Sequence, residues 1–148
     1  MAVAFDAAAS AQELAGDGII TVSITATGSN LAAFSGSGNF GDAGSLGSST
    51  YDGTAMTEMW DAVFETSDGH AGYRRAGIAS GLKDMVNTLA AAPGEHAAGV
   101  ITMTGVDQTT PVGTPATGTG VTSPATVTVA GVGADDLVVG NLWCQNSP

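Results

Sequence analysis

The chain has 148 residues, one domain's worth and enough for one substantial core. Hydrophobic residues make up 43% but aromatics only 5%, and with 22 glycines the chain is built from small side chains and turns rather than large anchors. Charged residues are scarce at 11%, and their balance of 14 acidic to 3 basic, net −11, argues against a phosphate grip on nucleic acid and against attachment to an anionic membrane.

In chain order, Val3 and Phe5 alternate with Ala2 and Ala4, which suits a short opening strand. Ala7 to Leu14 tolerates helix on propensity, but Ala15-Gly16-Asp17-Gly18 stops anything long, so a loop or single turn is expected. Ile19 to Ala26 is the clearest strand of the first half, with Ile20, Val22, Ile24 and Ala26 on one face and Thr21, Ser23 and Thr25 on the other. Thr27 to Asn30 is a turn, and Leu31 to Ser35 resumes a strand. Gly36 to Ser49 is dominated by Gly and Ser and reads as a mobile surface loop. Within it, Gly36-Ser37-Gly38-Asn39-Phe40-Gly41 has the spacing of a dinucleotide fingerprint. Asp42-Ala-Gly-Ser-Leu-Gly47 follows, which cannot open the helix that a pyrophosphate needs, so no nucleotide site is expected.

Asp52-Gly53, between strand-forming residues of Thr50 to Thr57, signals a tight hairpin. Met56 to Phe64 supplies Trp60, Val63 and Phe64, and Ser67-Asp68-Gly69-His70 is a further turn. Tyr73 to Leu82 carries Arg74 and Arg75, which point to opposite faces of a strand and read as two solvated rim charges. In Asp84 to Ala92 the spacing of Met85, Val86 and Leu89 suggests helix. Pro93-Gly94 would leave such a helix short, and strands flank it, so strand is preferred. Glu95-His96 leads into Val100 to Thr104, where Ile101 and Met103 share one face and Val100, Thr102 and Thr104 the other. Asp107-Gln-Thr-Thr-Pro111 then makes an extended rim loop. Val112 to Pro124 is a connector, and Ala125 to Ala130 a strand with Val127 and Val129 on one face. Gly131 to Asp136 is a turn, and Leu137 to Cys144 has the two-sided apolarity of a central strand. About eight or nine short strands separated by turns predict an all-β chain, a single antiparallel β-sandwich or jelly roll over residues 1–148.

Chemistry is less legible. Cys144 is the single cysteine, so no internal disulfide forms and a packed thiol is expected. The N-terminus has no basic region before an apolar run, and no apolar run is long enough to span a bilayer, so a chain made in the cytoplasm and not exported is expected. His70 and His96 stand in separate loops without zinc-ligand spacing. Calcium is a softer possibility, since loop Asp residues abound but no Asp-x-Asp-x-Asp-Gly run occurs. Asp135 and Asp136 read as a turn or cap. A glycosidase would need a carboxylate pair, which sequence cannot assign among the acidic residues, and a serine hydrolase would need a Gly-x-Ser-x-Gly elbow. No enzyme is expected: catalytic residues none, cofactor-binding residues none, metal ligands none.

Val3-Ala-Phe-Asp-Ala7, Ser49-Thr-Tyr-Asp-Gly-Thr-Ala-Met-Thr57, the stretch Ala98 to Pro111, Ser123-Pro-Ala-Thr-Val-Thr-Val129 and Asp135-Asp-Leu-Val-Val139 occur in order over most of the chain. Together they resemble a family of β-sandwich modules of bacteriophage virion proteins and some bacterial surface proteins. Members usually run on for further strands past the last of these pieces, and the Met85 region departs from the expected Val/Thr alternation. The resemblance implies a structural or adhesive role on a particle surface, with no catalytic residues to carry over. The expectation drawn from it is a capsid decoration (cement) protein on the outer surface of the virion. Its partner would be the major capsid protein, with copies of the chain forming a homo-oligomer, a trimer about a local axis. Gly36–Ser49, Val112–Pro124 and the N-terminal arm are the expected contact regions. The alternative is a glycan- or receptor-binding module of a tail or fibre, for which Tyr51, Trp60, Tyr73 and Trp143 are the available aromatics.

Overall fold

Side-chain alternation decides the architecture. The computed structural model describes residues 2–14, 16–41, 47–64, 68–91, 94–118 and 126–142, and none of these is helical. The strands are β1 (Ala4–Glu13), β2 (Ile19–Ala26), β3 (Ala32–Phe40), β4 (Ser48–Tyr51), β5 (Thr54–Ala55), β6 (Thr57–Phe64), β7 (Asp68–Ala76), β8 (Gly81–Thr88) and β9 (Glu95–Thr104). They form a five-stranded sheet in the order β1-β9-β3-β7-β6 and a four-stranded sheet in the order β2-β8-β4-β5. Every pairing is antiparallel.

The connectivity is that of a jelly roll. With β6 set aside, the remaining strands pair first with last, second with seventh, third with sixth and fourth with fifth. Strand β6 folds back on β7 as a hairpin and widens the larger sheet. Between the sheets lie Ile20, Val22 and Ile24 of β2, Met85 of β8, Tyr51 of β4, and Ala98 and Val100 of β9. Ile101 and Met103, on the other face of β9, join Phe34 and Val106 in a second cluster on the outside of the larger sheet. The alternation expected over Val100 to Thr104 is therefore used on both faces of that sheet.

Several expectations need correction. Ala7 to Leu14 is not a loop: β1 runs through it to Glu13 and pairs with β9. Alanine favours strands weakly, but Ala7, Ala9 and Ala11 pack on the main core, where their small size lets β1 lie close beside β2. Gly36 to Phe40 is likewise no surface loop but part of β3, hydrogen-bonded to β9 on one side and β7 on the other. Residues 42–46 of the same stretch lie outside the described residues. The turn expected at Ser67 to His70 is strand from Asp68 onward, and Ser67 is not described. The strands expected at Ala125 to Ala130 and Leu137 to Cys144 do not form over 126–130 or 137–142, which are irregular and mostly exposed. A strand needs a ladder partner as well as a pattern, and this segment has none among the described residues. Ala125, Trp143 and Cys144, and with them the expected packed thiol, lie outside the described residues. Other expectations hold: β8 is a strand, Gly133 to Asp136 is a turn, and Asp52-Gly53 makes the β4–β5 hairpin. Both hairpin residues have positive φ, 50° and 69°, as a twisted two-residue connection requires.

Candidate functional site

Two features stand out: a polar end to the sandwich interior, and a groove on the outside of the larger sheet. The first follows from the inner face of β3, which reads Ala33, Ser35, Ser37, Asn39 and so turns polar toward one end. Asn39 neighbours His96 on β9, while Asn87 and Ser49 are neighbours in the opposite sheet. His96 is 2% exposed, and its Nε2 lies 2.8 Å from Asn87 Oδ1. An amide oxygen only accepts, so Nε2 carries a proton toward Asn87, and burial of the ring disfavours a second proton on Nδ1. Burial holds the His96 pKa down at about 4. Its Nδ1 has no hydrogen-bond partner, nor do Ser37 Oγ and Glu13 Oε2, all buried. Such atoms reduce the net gain from burying this end.

The other polar groups mostly tie strands together. The register of β1 on β9 shifts between Phe5 and Ala7. Asp6, at that shift, accepts the Thr27 N–H at 3.0 Å, the Thr102 hydroxyl at 2.7 Å and the Thr27 hydroxyl. Burial alone would raise the Asp6 pKa, but the bonds from Thr27 and Thr102 outweigh it and hold the carboxyl below the usual aspartate value. Lys83 pairs with Asp52 at 2.9 Å, securing the hairpin against β8. Arg74 and Arg75 do point to opposite faces, but Arg75 is not a solvated rim charge. Both are half-buried, and Arg75 crosses between the sheets to donate to the Tyr51 carbonyl of β4. The correction follows from parity: Arg75 shares the inner face with Ala71 and Tyr73, so its guanidinium must find an acceptor inside.

His70 and His96 are not in loops but on β7 and β9 of one sheet, with alternation placing them on opposite faces. Burial lowers the His70 pKa, with the Asp61 carboxylate acting against it. Asp135 and Asp136 sit in the expected turn: Asp136 accepts the Gly133 N–H at 2.7 Å, and the Asp135 carbonyl accepts the Val3 N–H at 3.1 Å. Among the described residues, no group of three or more His, Cys, Asp or Glu is placed to hold a metal ion.

The groove was not foreseen. It measures about 710 Å³ and crosses the outer face of β1, β9 and β3, with Trp60 at one end. Its floor is a row of cross-strand neighbours, Ser10, Gly99 and Gly36, and the next in that row, Gly72, lies beneath the Trp60 indole of β6. Any side chain on Gly72 would collide with the indole, and a Cβ on Gly36 would come 2.8 Å from Asn141 Nδ2. Gly36, expected in a flexible loop, thus lies in the trench floor. Phe34 and Ile101 wall one side, and Val139 to Leu142 of the C-terminal segment lie over it. Of the aromatics available for stacking on a ligand, Tyr51 and Tyr73 are buried at 1% and 2% exposure. Half-buried Trp60 is the one that reaches the groove among the described residues. No helix among the described residues is long and apolar enough to cross a membrane. Compared with protein families, curated proteins and solved structures, the chain finds no match.

Proposed function

We propose that the chain is a structural accessory protein of a phage virion, a decoration (cement) protein seated on the outer capsid surface and bridging joints between major capsid subunits. The observation that carries this reading is the distribution of apolar surface. Leu137, Val138 and Leu142 are exposed on an arm without secondary structure, beside an uncharged groove on a jelly roll. Contiguous exposed apolar surface marks contact with other macromolecules, and one small domain repeated many times on a lattice gains from avidity. The jelly roll is an architecture of capsid proteins and of lectins alike, so it supports the reading only by analogy. The resemblance of Ser49–Thr57 and Ala98–Pro111 to virion modules points the same way. The test is deletion of the gene from the phage that carries it. Particles lacking the protein should release their genome at lower temperature, and adding purified protein back should restore the difference. Particles equally robust without it would refute the role.

The second reading, a glycan- or receptor-binding module of a tail or fibre, is favoured by Trp60. Its indole stands in the groove with the polar Ser10, Gln12 and Asn141, an arrangement suited to stacking on a sugar face. Selective binding on a glycan array, lost on Trp60→Ala, would replace the cement role with this one.

A further inference from the structure

The groove and the C-terminal segment 126–142 are each incomplete in a way that the other answers. The segment alternates Val127 and Val129 with Thr126 and Thr128, the composition of a strand, yet has no ladder partner among the described residues. It leaves Leu137, Val138 and Leu142 at 47%, 59% and 73% exposure. Val127, Val129 and Val132 of the same segment are also exposed, at 53%, 37% and 48%. The groove, for its part, keeps about 710 Å³ open beneath Val139 to Leu142, although Phe34, Ile101, Met59 and Trp60 line it. The trench is open to solvent, so the segment folded back on its own sheet leaves Met59, Trp60 and Ile101 only partly covered.

Charge indicates which partner would complete it. A chain of net −11 repels its own copies through most of its surface. The groove lining, however, contains no charged residue, and the segment carries only Asp135 and Asp136. A basic partner would find nothing to pair with here, whereas a second copy meets no repulsion. The contact that Asn141 makes over Gly36 within one chain is available unchanged between two, which is why exchange of an identical element is a low-cost route to oligomers.

We propose that residues 126–142 form an exchange arm that docks in the outer-sheet groove of a second copy of this chain. The exchange covers the exposed leucines and valines and fills the trench. It does not rest on the virion role, but it covers the apolar arm on which that role was argued, so an oligomer held by the arm leaves any capsid contact to other surface. The full-length chain at micromolar concentration should sediment as an oligomer. Val138→Asp with Leu142→Asp should return it to monomer with an unchanged far-ultraviolet circular dichroism spectrum. In a Cys144→Ser background, Ser10→Cys with Asn141→Cys should give oxidised species of at least twice the chain mass on non-reducing gels. A wild-type chain that sediments as monomer, an oligomer untouched by the arm substitutions, or a cysteine pair that closes only within one chain would each overturn the proposal.

Discussion

His96 sets the pH response of the sandwich interior. Its pKa of about 4 in the folded chain lies below the ordinary histidine value of 6.5. Between those values the unfolded chain binds a proton that the native one refuses. The stability tied to keeping His96 neutral is therefore complete above about pH 6.5 and falls as the pH drops toward 4, by about 3 kcal/mol in all. Urea unfolding across that range should show the loss in the wild type and a smaller one in His96→Gln, whose amide can still donate to Asn87. An equal slope in both would place the response elsewhere. Asp6 acts lower on the scale: its depressed pKa gives stability present above the usual aspartate value and lost only as the pH falls further. Removing its carboxylate in Asp6→Ala leaves Thr27 and Thr102 without their acceptor and should cost about 1–3 kcal/mol at neutral pH, read from the denaturation midpoint. Neither role was visible in the sequence. Asp6 sits in an unremarkable Phe-Asp-Ala run, and only the register shift that places it near Thr27 and Thr102 gives it work.

At the scale of the element, strands with β-branched residues and polar turns were legible and others were not. Ile19 to Ala26 carries its full alternation in its own letters, and β2 forms there. Asp52-Gly53 announces its hairpin because so few residue pairs tolerate positive φ at both positions. Gly53→Ala should cost about 1–2 kcal/mol through backbone strain, seen as a lower melting temperature without loss of sheet content. The misread elements fail for one reason, that tertiary surroundings override local preference. Alanine in β1 and glycine in β3 weaken a strand in isolation. Here the alanines let β1 approach β2, and Gly36 and Gly72 make room for Asn141 and Trp60. Gly72→Ala, in a Trp143→Phe background, should push the Trp60 indole outward and shift its emission to longer wavelength; an unchanged spectrum would contradict the packing. The opposite error occurs at 126–130 and 137–142, where a strand-like pattern finds no neighbour to pair with among the described residues.

For the whole molecule, periodicity and turn spacing were enough for the antiparallel sandwich, because two faces of alternating character demand two sheets closing on each other. The groove was not legible, since its floor joins residues from β1, β9 and β3 that are far apart in sequence and share only smallness. Among the described residues, the molecule presents outward an uncharged trench and an apolar arm, with Phe5, Leu14, Ile19, Phe40, Val63 and Leu82 exposed elsewhere, on a chain of net −11. That combination suits adhesion in many copies, and the virion role follows from it as a proposal. The most direct measurement is the number of copies of this chain per purified particle, by quantitative mass spectrometry against the major capsid protein. A decoration role predicts a copy number on the scale of the capsid lattice, in fixed ratio to the capsid protein. A handful of copies per particle, or none, would contradict it.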